Sequence, residues 1–346
     1  MRSPLLRSHH SGFRDARDQL AFNPAKWVPK MRILVVMDPI ERVLIDKDTT
    51  FGFLLAAQRR GHAVSYCTQA QLYAHGGRGA ARCAPLTVRA NPDDFFTLGP
   101  WADHDLADFH SVWMRKDPPV DRAFLHATHL LDLAGPRTLV VNSPTGLRYA
   151  NEKVYALAFP DLCPESMITR DMGRIRAWLS QRQRPLIVKP IDGHGGAGIF
   201  LLRPDDRNIA SILETLSGDE SQWVMAQDYL PGSREGDKRI IMIDGEVRGA
   251  ILRVPRADDN RGNIHAGGRV VATELTPRDH EICEAVGPRL RADGLWFVGL
   301  DVIGDYLTEI NVTSPTGIRE VEALGGPDLG DAYVAWVEER VATLDP

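Results

Sequence analysis

Lysine is scarce. Only seven of the 41 basic residues in this 346-residue chain are lysine, and two of those, Lys26 and Lys30, fall in the first thirty positions. A chain that otherwise writes arginine keeps a compact ammonium at Lys47, Lys116, Lys153, Lys189 and Lys238, which marks those positions for inspection. Cysteine is scarcer still: Cys67, Cys83, Cys163 and Cys283 lie far apart with no CxxC. That argues against a disulfide framework or zinc knuckle and leaves reduced thiols, as expected of a cytoplasmic protein. No apolar run approaches 18 residues, so no membrane partner is expected. Basic excess is absent, the formal net charge being −5, so nucleic acid is not an expected partner either. The P-loop signature and the H-R-D and D-F-G elements of protein kinases do not occur.

What is present is ordinary globular material, 43% hydrophobic and 25% charged, which excludes disorder as the main state. The length predicts two or three domains. Residues 1–30 hold six Lys/Arg, Asp15, Asp18 and no apolar segment of signal-peptide length. They read as a disordered leader, or as sequence upstream of a working start at Met31. From Met31 the pattern predicts strands at Ile33–Val36, Val64–Cys67, Val112–Met114 and Thr138–Val141. Helices are expected at Asp48–Arg60, capped by Asp48 or Thr49, and at about 121–133. This alternation predicts an open parallel α/β domain over about 31–150.

The second half changes style. Short strands at Leu186–Lys189 and Ile199–Leu202 flank a glycine loop, a helix follows at about 206–216, and strands are expected at 223–227, 239–243 and 246–253. Thr276 opens a helix in capping-box style. A hairpin at 296–312 and a helix at about 328–343 complete an antiparallel α+β half. The loop Asp192–Gly198 contains four glycines and formally G-x-G-x-x-G. A dinucleotide fold would run that motif into a helix, whereas here it runs into Ile199-Phe200-Leu201-Leu202. What remains is a flexible flap between strands, whose N–H groups can approach phosphate oxygens, or a glycine hairpin without a ligand.

Lys189 closes an apolar strand just before this flap and suits a phosphate contact. Lys153 is a phosphate ligand or a surface lysine. Asp301, Glu309 and Asn311 interrupt two apolar runs joined near Gly304-Asp305. Glu309 and Asn311 share a strand face. A three-residue turn at 304–306 is expected to pair position 301 with 309 and bring both acids together. The set suits Mg²⁺ with phosphate oxygens, or else an ion pair with nearby arginine. Arg115, Arg239, Arg253, Arg261 and Arg319 are candidate carboxylate or oxyanion clamps. His194 and His265 lie in loops and are phosphate contacts or solvated histidines.

A glycine flap, a preceding lysine and a late acid–acid–Asn hairpin together resemble the ATP-grasp ligases. The strings Met114-Arg115-Lys116-Asp117-Pro118-Pro119, Asn151-Glu152-Lys153, Gln227-Asp228-Tyr229-Leu230-Pro231, Gly236-Asp237-Lys238-Arg239 and Thr308-Glu309-Ile310-Asn311-Val312-Thr313-Ser314-Pro315-Thr316 resemble the bacterial glutathione synthetase family over about 31–340. The resemblance implies an N-terminal α/β domain followed by a two-lobed ATP-grasp domain at 151–340. Its lid lobe would span about 151–230 and its metal lobe about 231–340. It implies ATP-dependent joining of γ-glutamylcysteine to glycine through an acylphosphate, with two Mg²⁺ (or Mn²⁺) and a homotetramer. On these positions it implies ATP contacts from Lys153, Lys189, Gly193, Gly195, Gly196, Gly198 and Asp237, and from Gln227, Asp228, Tyr229 and Leu230 through backbone groups at adenine. Metal would be held by Asp301, Glu309 and Asn311. Arg115, Arg253, Arg261 and Ser314 would hold the dipeptide, with Arg239 at the developing oxyanion and Lys189 sharing the catalytic charge. The Asp258–Gly268 loop would be a lid. Two other readings share many of these parts: a ligase adding glutamate to peptides, and an ATP-binding module without turnover.

Overall fold

Parallel pairing starts where the sequence predicts it. In a computed structural model that describes residues 30–256 and 268–344, β1 (Arg32–Val36) is followed by α1 (Thr49–Arg59), β2 (Ala63–Cys67), β3 (Leu72–His75), β4 (Arg78–Val88), β5 (Phe96–Leu98), β6 (Ala102–Asp105) and β7 (Ser111–Met114). Then come α2 (Arg122–Leu131), β8 (Leu139–Val141) and the short α3 (Pro144–Tyr149). The backbone of the sheet runs β3-β4-β2-β1-β7-β8, with β5 and β6 on the flank of β4. Strands β2, β1, β7 and β8 are parallel and apolar in their centres, as expected of strands covered on both faces, with Ser65 in the middle of β2 the exception. The sheet is not parallel throughout: β3 to β6 are antiparallel and extend it to eight strands. The first half of β4 buries only small residues, Gly79, Ala80, Ala81, Cys83 and Ala84, and β3, β5 and β6 are three or four residues long, so none gave an apolar run that would have announced it.

Two antiparallel sheets follow. The first takes the order β11-β10-β12-β9, from β9 (Ser166–Thr169), β10 (Leu186–Pro190), β11 (Phe200–Leu202) and β12 (Val224–Asp228), backed by α4 (Met172–Arg182) and α5 (Ile209–Ser217). The second is β15-β14-β13-β16-β17, built from β13 (Asp237–Ile243), β14 (Glu246–Val254), β15 (Arg269–Ala272), β16 (Phe297–Ile303) and β17 (Tyr306–Asn311). Its helix α6 (Pro277–Ala292) carries the expected capping box, Thr276 with Asp279. Helices α7 (Ile318–Ala323) and α8 (Leu329–Ala342) return to the first sheet.

The aromatic core joins these layers. Phe53 of α1 stacks on Tyr333 of α8 at 3.9 Å, with Trp113 of β7 and Phe297 of β16 edge-on to both rings. Asn142 is a second weld. This buried amide accepts from the N–H groups of Trp296 and Phe297 and donates to the carbonyls of Phe297 and Val312, all at 2.7–2.9 Å. Every hydrogen-bonding valence that joins the end of β8 to the β16–β17 hairpin is thereby filled. Among the described residues no helix is long and apolar enough to cross a membrane. The leader, Arg261, His265 and nearly all of the loop expected as a lid lie outside the described residues.

Candidate active site

The acid hairpin positions the centre of the cleft. Asp301 of β16 stands directly opposite Glu309 of β17. The pairing is the expected one, but the turn is not. Ile303 pairs with Tyr306, so the loop is the two-residue Gly304-Asp305, with Gly304 at φ +57°. A bulge between Asp301 and Val302 on one side, spending Thr308 on the other, restores the register. Thr308 Oγ donates to the carbonyl of Asp301 at 3.0 Å and fastens the bulge.

Arginines close on Asp301. Arg239 of β13 donates Nε to Oδ1 at 2.6 Å and a terminal nitrogen to Oδ2 at 3.0 Å, and its other arm reaches the carbonyl of Thr316 at 3.0 Å. Arg253 of β14 lies between Asp301, at 3.0 Å, and Asp237, at 2.5 Å. The result is a buried chain of alternating charge. Burial pushes the Asp301 carboxyl up, but Arg239 and Arg253 outweigh it and hold Asp301 well below the usual carboxylate range. Burial raises Asp237 to about 7, with Arg253 opposing and Asp301 adding to the rise.

The flap arrives from the other sheet. Strands β10 and β11 form the predicted hairpin around the glycine loop, whose Gly195, Gly196 and Gly198 all have positive φ. Lys189 Nζ donates to Glu309 Oε1 at 2.9 Å, and Lys153 Nζ lies 3.8 Å from the same oxygen. Lys153 also donates to the carbonyl of Gly193 at 2.6 Å, tying the flap down. Its placement is local. The Asn151 side chain accepts from the N–H groups of Lys153 and Val154, and the carbonyl of Glu152 accepts from Ile310 in β17. Both lysines are buried. Burial would raise the Glu309 carboxyl, yet Lys189 and Lys153 hold it low.

These elements enclose a cavity of about 770 Å³. Lys153, Lys189, Gly193, Gly195, Gly196, Gln227, Asp228, Tyr229, Leu230, Asp237, Arg239, Arg253, Arg115, Ser314, Asp301, Glu309 and Asn311 all line it. Gly198 is set back, packed on Pro190. The N–H groups of Asp228 and Tyr229 are spent on the carbonyls of Glu165 and Pro185, and the Gln227 amide on Ser166, so fewer backbone groups face a base than the sequence suggested. Asp237 faces Arg253. Arg115 is buried without an ion pair among the described residues. It donates to Thr50 Oγ and the carbonyl of Pro315, lies over Phe53 and Phe297, and burial lowers its basicity. Such a cation is suited to a ligand carboxylate. His194 is exposed on the rim of the cavity.

Three groups were not anticipated. Asp48, Thr49 and Thr50 at the start of α1 line the cavity, although the sequence announced only a cap. Glu152 is held beside Lys153, its carboxyl raised by burial and by Glu309. Glu320 of α7 also lines the cavity. No cluster of three His, Cys, Asp or Glu side chains among the described residues could hold a metal by itself. The donor set fits a divalent cation that arrives with phosphate. Glu309 Oε2 carries no hydrogen bond among the described residues. The Asn311 amide nitrogen donates to the carbonyl of Gly299 at 3.2 Å, leaving its oxygen unbonded among the described residues.

Two family models match in series: the prokaryotic glutathione synthetase N-terminal domain over residues 31–148 and its ATP-grasp domain over 152–326. The chain is 49% identical over 315 residues to the glutathione synthetase of Gloeobacter violaceus, covering 89% of this chain and 97% of that one. It is 46% identical to the glutathione synthetase of Salmonella typhimurium, covering 90% and 99%. Among solved structures it resembles a D-cycloserine synthetase, with TM-score 0.64 at 14% identity and 89% and 99% coverage. It also resembles a RimK-domain ATP-grasp protein from Sphaerobacter thermophilus, with TM-score 0.57 at 16% identity and 88% and 99% coverage. At such identities these structures speak for the fold.

Proposed function

The chain belongs to the prokaryotic glutathione synthetase family and is an ATP-dependent ligase of glutathione biosynthesis; from that premise we propose which of its residues bind ATP, γ-glutamylcysteine and glycine and drive their reaction. The observation that carries the reading is the convergence of Lys153, Lys189 and the flap on Glu309 within one cleft. Phosphoryl transfer asks a protein for positioning and charge neutralisation more than for covalent catalysis. The two ammonium groups supply the charge, and Gly193, Gly195 and Gly196 let the flap backbone close on the phosphates. Gln227–Leu230 border the base, with Asp237 at the inner edge of the nucleotide.

Glu309, Asn311 and Asp301 would hold Mg²⁺ or Mn²⁺, two ions in all. When bound, the cation neutralises phosphate charge during transfer to the cysteinyl carboxylate. Arg115, Arg253 and Ser314 hold the dipeptide, together with Arg261. Arg239 is fixed by Asp301 and Thr316, so it presents its remaining guanidinium face to the oxyanion that forms when the glycine amine attacks the acylphosphate. The residues 258–268 serve as a lid. A cytoplasmic homotetramer completes the reading.

The test is product mass. Incubation with ATP, Mg²⁺, γ-glutamylcysteine and glycine should give glutathione, ADP and phosphate in equal amounts. ATP binding without turnover would instead identify a binding module, and turnover only with other acid–amine pairs a different ligase.

A further inference from the structure

Most acids of the cleft are held by a named group; Glu152, for one, is bonded by Thr313 and lies beside Lys153. Asp301 and Asp237 are closed on Arg239 and Arg253, Glu309 on Lys189, and Asp228 on Arg182. Asp48 caps α1 by accepting from the N–H of Phe51 at 2.6 Å. Glu320 makes no ion pair among the described residues: its own N–H helps hold its charge, but its Oε2 is buried and bonded by nothing described, and where Asp228 and Asp237 also bury an unbonded oxygen, their other oxygen is ion-paired. Leaving a carboxylate oxygen in that state is costly unless something else comes to it.

Its position says what that is. Glu320 sits in the first turn of α7, four residues after Thr316, whose carbonyl holds Arg239, and five after Pro315, whose carbonyl holds Arg115. Arg239, Lys47 and Arg319 are near enough to stabilise its charge, but none bonds it: Arg239 is committed to Asp301, and Arg319 to Glu322 at 2.6 Å. Burial still pushes its carboxyl up. This end of the cleft therefore offers two clamped guanidinium groups and a carboxylate with no cation bonded to it, the complement of a molecule bearing carboxylates and one ammonium. We propose that Glu320 receives a primary ammonium group of a substrate, so that it selects amino-acid zwitterions over plain carboxylic acids.

The inference rests on the reaction assigned above, in which both γ-glutamylcysteine and glycine carry such a group. Steady-state kinetics of Glu320→Gln separate the two sources. The expected result is a rise of about tenfold or more in KM for one of the two substrates, with the KM for ATP unchanged, because a hydrogen bond to a charged group is lost. A rise for glycine places the acceptor amine at Glu320; a rise for γ-glutamylcysteine places the α-ammonium there. In the second case glutarylcysteine, which lacks only that amine, should be poor for the wild-type enzyme and no poorer for the Gln variant. Glu320→Asp, which keeps the charge on a shorter arm, should recover part of the loss. Unchanged KM for both substrates overturns the proposal, and so do Gln and Asp variants impaired alike. If the wild-type chain makes no glutathione, the assigned reaction fails instead.

Discussion

Lys189 Nζ donates to Glu309 Oε1 at 2.9 Å although 120 residues separate them. One group ends the strand before a glycine flap and the other interrupts an apolar hairpin, and their meeting makes the two hairpins a single cleft. With Lys153 3.8 Å from the same oxygen, the carboxylate is shared by two cations, each also available to a phosphate. Lys189→Met keeps the buried stem and removes the charge. It should lower kcat/KM by roughly 10²–10³-fold, the cost of one preorganised charge at a transition state. Far-UV circular dichroism should be unchanged, since Lys153 still faces Glu309. Activity within about twofold of wild type would remove Lys189 from the chemistry.

The Asn142 amide makes four hydrogen bonds from the end of β8 to β16 and to Val312, next to Asn311. Asn142→Ala leaves two buried N–H groups and two buried carbonyls without partners. Equilibrium denaturation in urea should show a loss of about 2–4 kcal/mol, a few unsatisfied groups at about 1 kcal/mol or more each. Asn142→Asp keeps the acceptors and loses the donors, so it should fall between. An alanine variant as stable as wild type would mean that the aromatic core alone joins the layers.

How much of this was legible follows from what kind of signal each part leaves. Lys189, the flap and the acid pair are violations of their surroundings, a cation or carboxylate among apolar residues, and such violations can be read one strand at a time. The partner of Asp301 could be inferred from strand geometry. The bulge that achieves it could not, because it depends on whether Thr308 prefers the carbonyl of Asp301 to a regular place in the ladder. Strand β4 was invisible because the buried positions of its first half hold Gly, Ala and Cys, and β3, β5 and β6 because they are three or four residues long. Glu320 was missed for a different reason. On its own helix it reads as an ordinary acid near arginine, and only the commitment of Arg319 to Glu322 and Arg239 to Asp301 isolates it. Asn142 left no mark at all, since a filled amide and a surface amide look alike in sequence.

Far from the cleft, His62 joins α8 to the start of the first sheet. Its Nδ1 accepts from the N–H of Met31 at 3.2 Å, so Nε2 carries the proton and donates to Glu338 at 2.7 Å. Arg60 donates to the same carboxylate and to Asp331. Burial lowers the basicity of His62 below its ordinary 6.5, with Arg60 and His110 adding to the effect and Glu338 opposing it. The unfolded chain thus takes up this proton first as pH falls. Its contribution to stability is present above about 6.5 and is lost as pH drops toward the folded value. Glu338 is also held low, so it acts in the same direction at more acid pH, burial opposing and Arg60 and His62 prevailing. Thermal midpoints should therefore fall from pH 7.5 to 5.5, and less steeply in His62→Gln. Parallel slopes for the two proteins would rule His62 out as the titrating group.

Removing divalent cation should separate activity from folding in this chain. Structural metal sites contribute folding free energy because the unfolded chain has no site to bind the ion, and an empty cluster of like charges destabilises the fold further. Here the candidate ligands are already neutralised, Glu309 by two lysines and Asp301 by two arginines, and Asn311 carries no charge. Excess chelator should thus abolish glutathione formation while shifting the thermal midpoint by no more than about 1–2 °C, less than about 1 kcal/mol for a chain of this size. Mg²⁺ added with a non-hydrolysable ATP analogue should then raise the midpoint more than either alone, since the protein supplies only part of the coordination shell and the phosphates complete it. A large drop on chelation would mean that the acids need the cation to fold, and the lysine and arginine pairs would have to be reassigned to a closed, nucleotide-bound state.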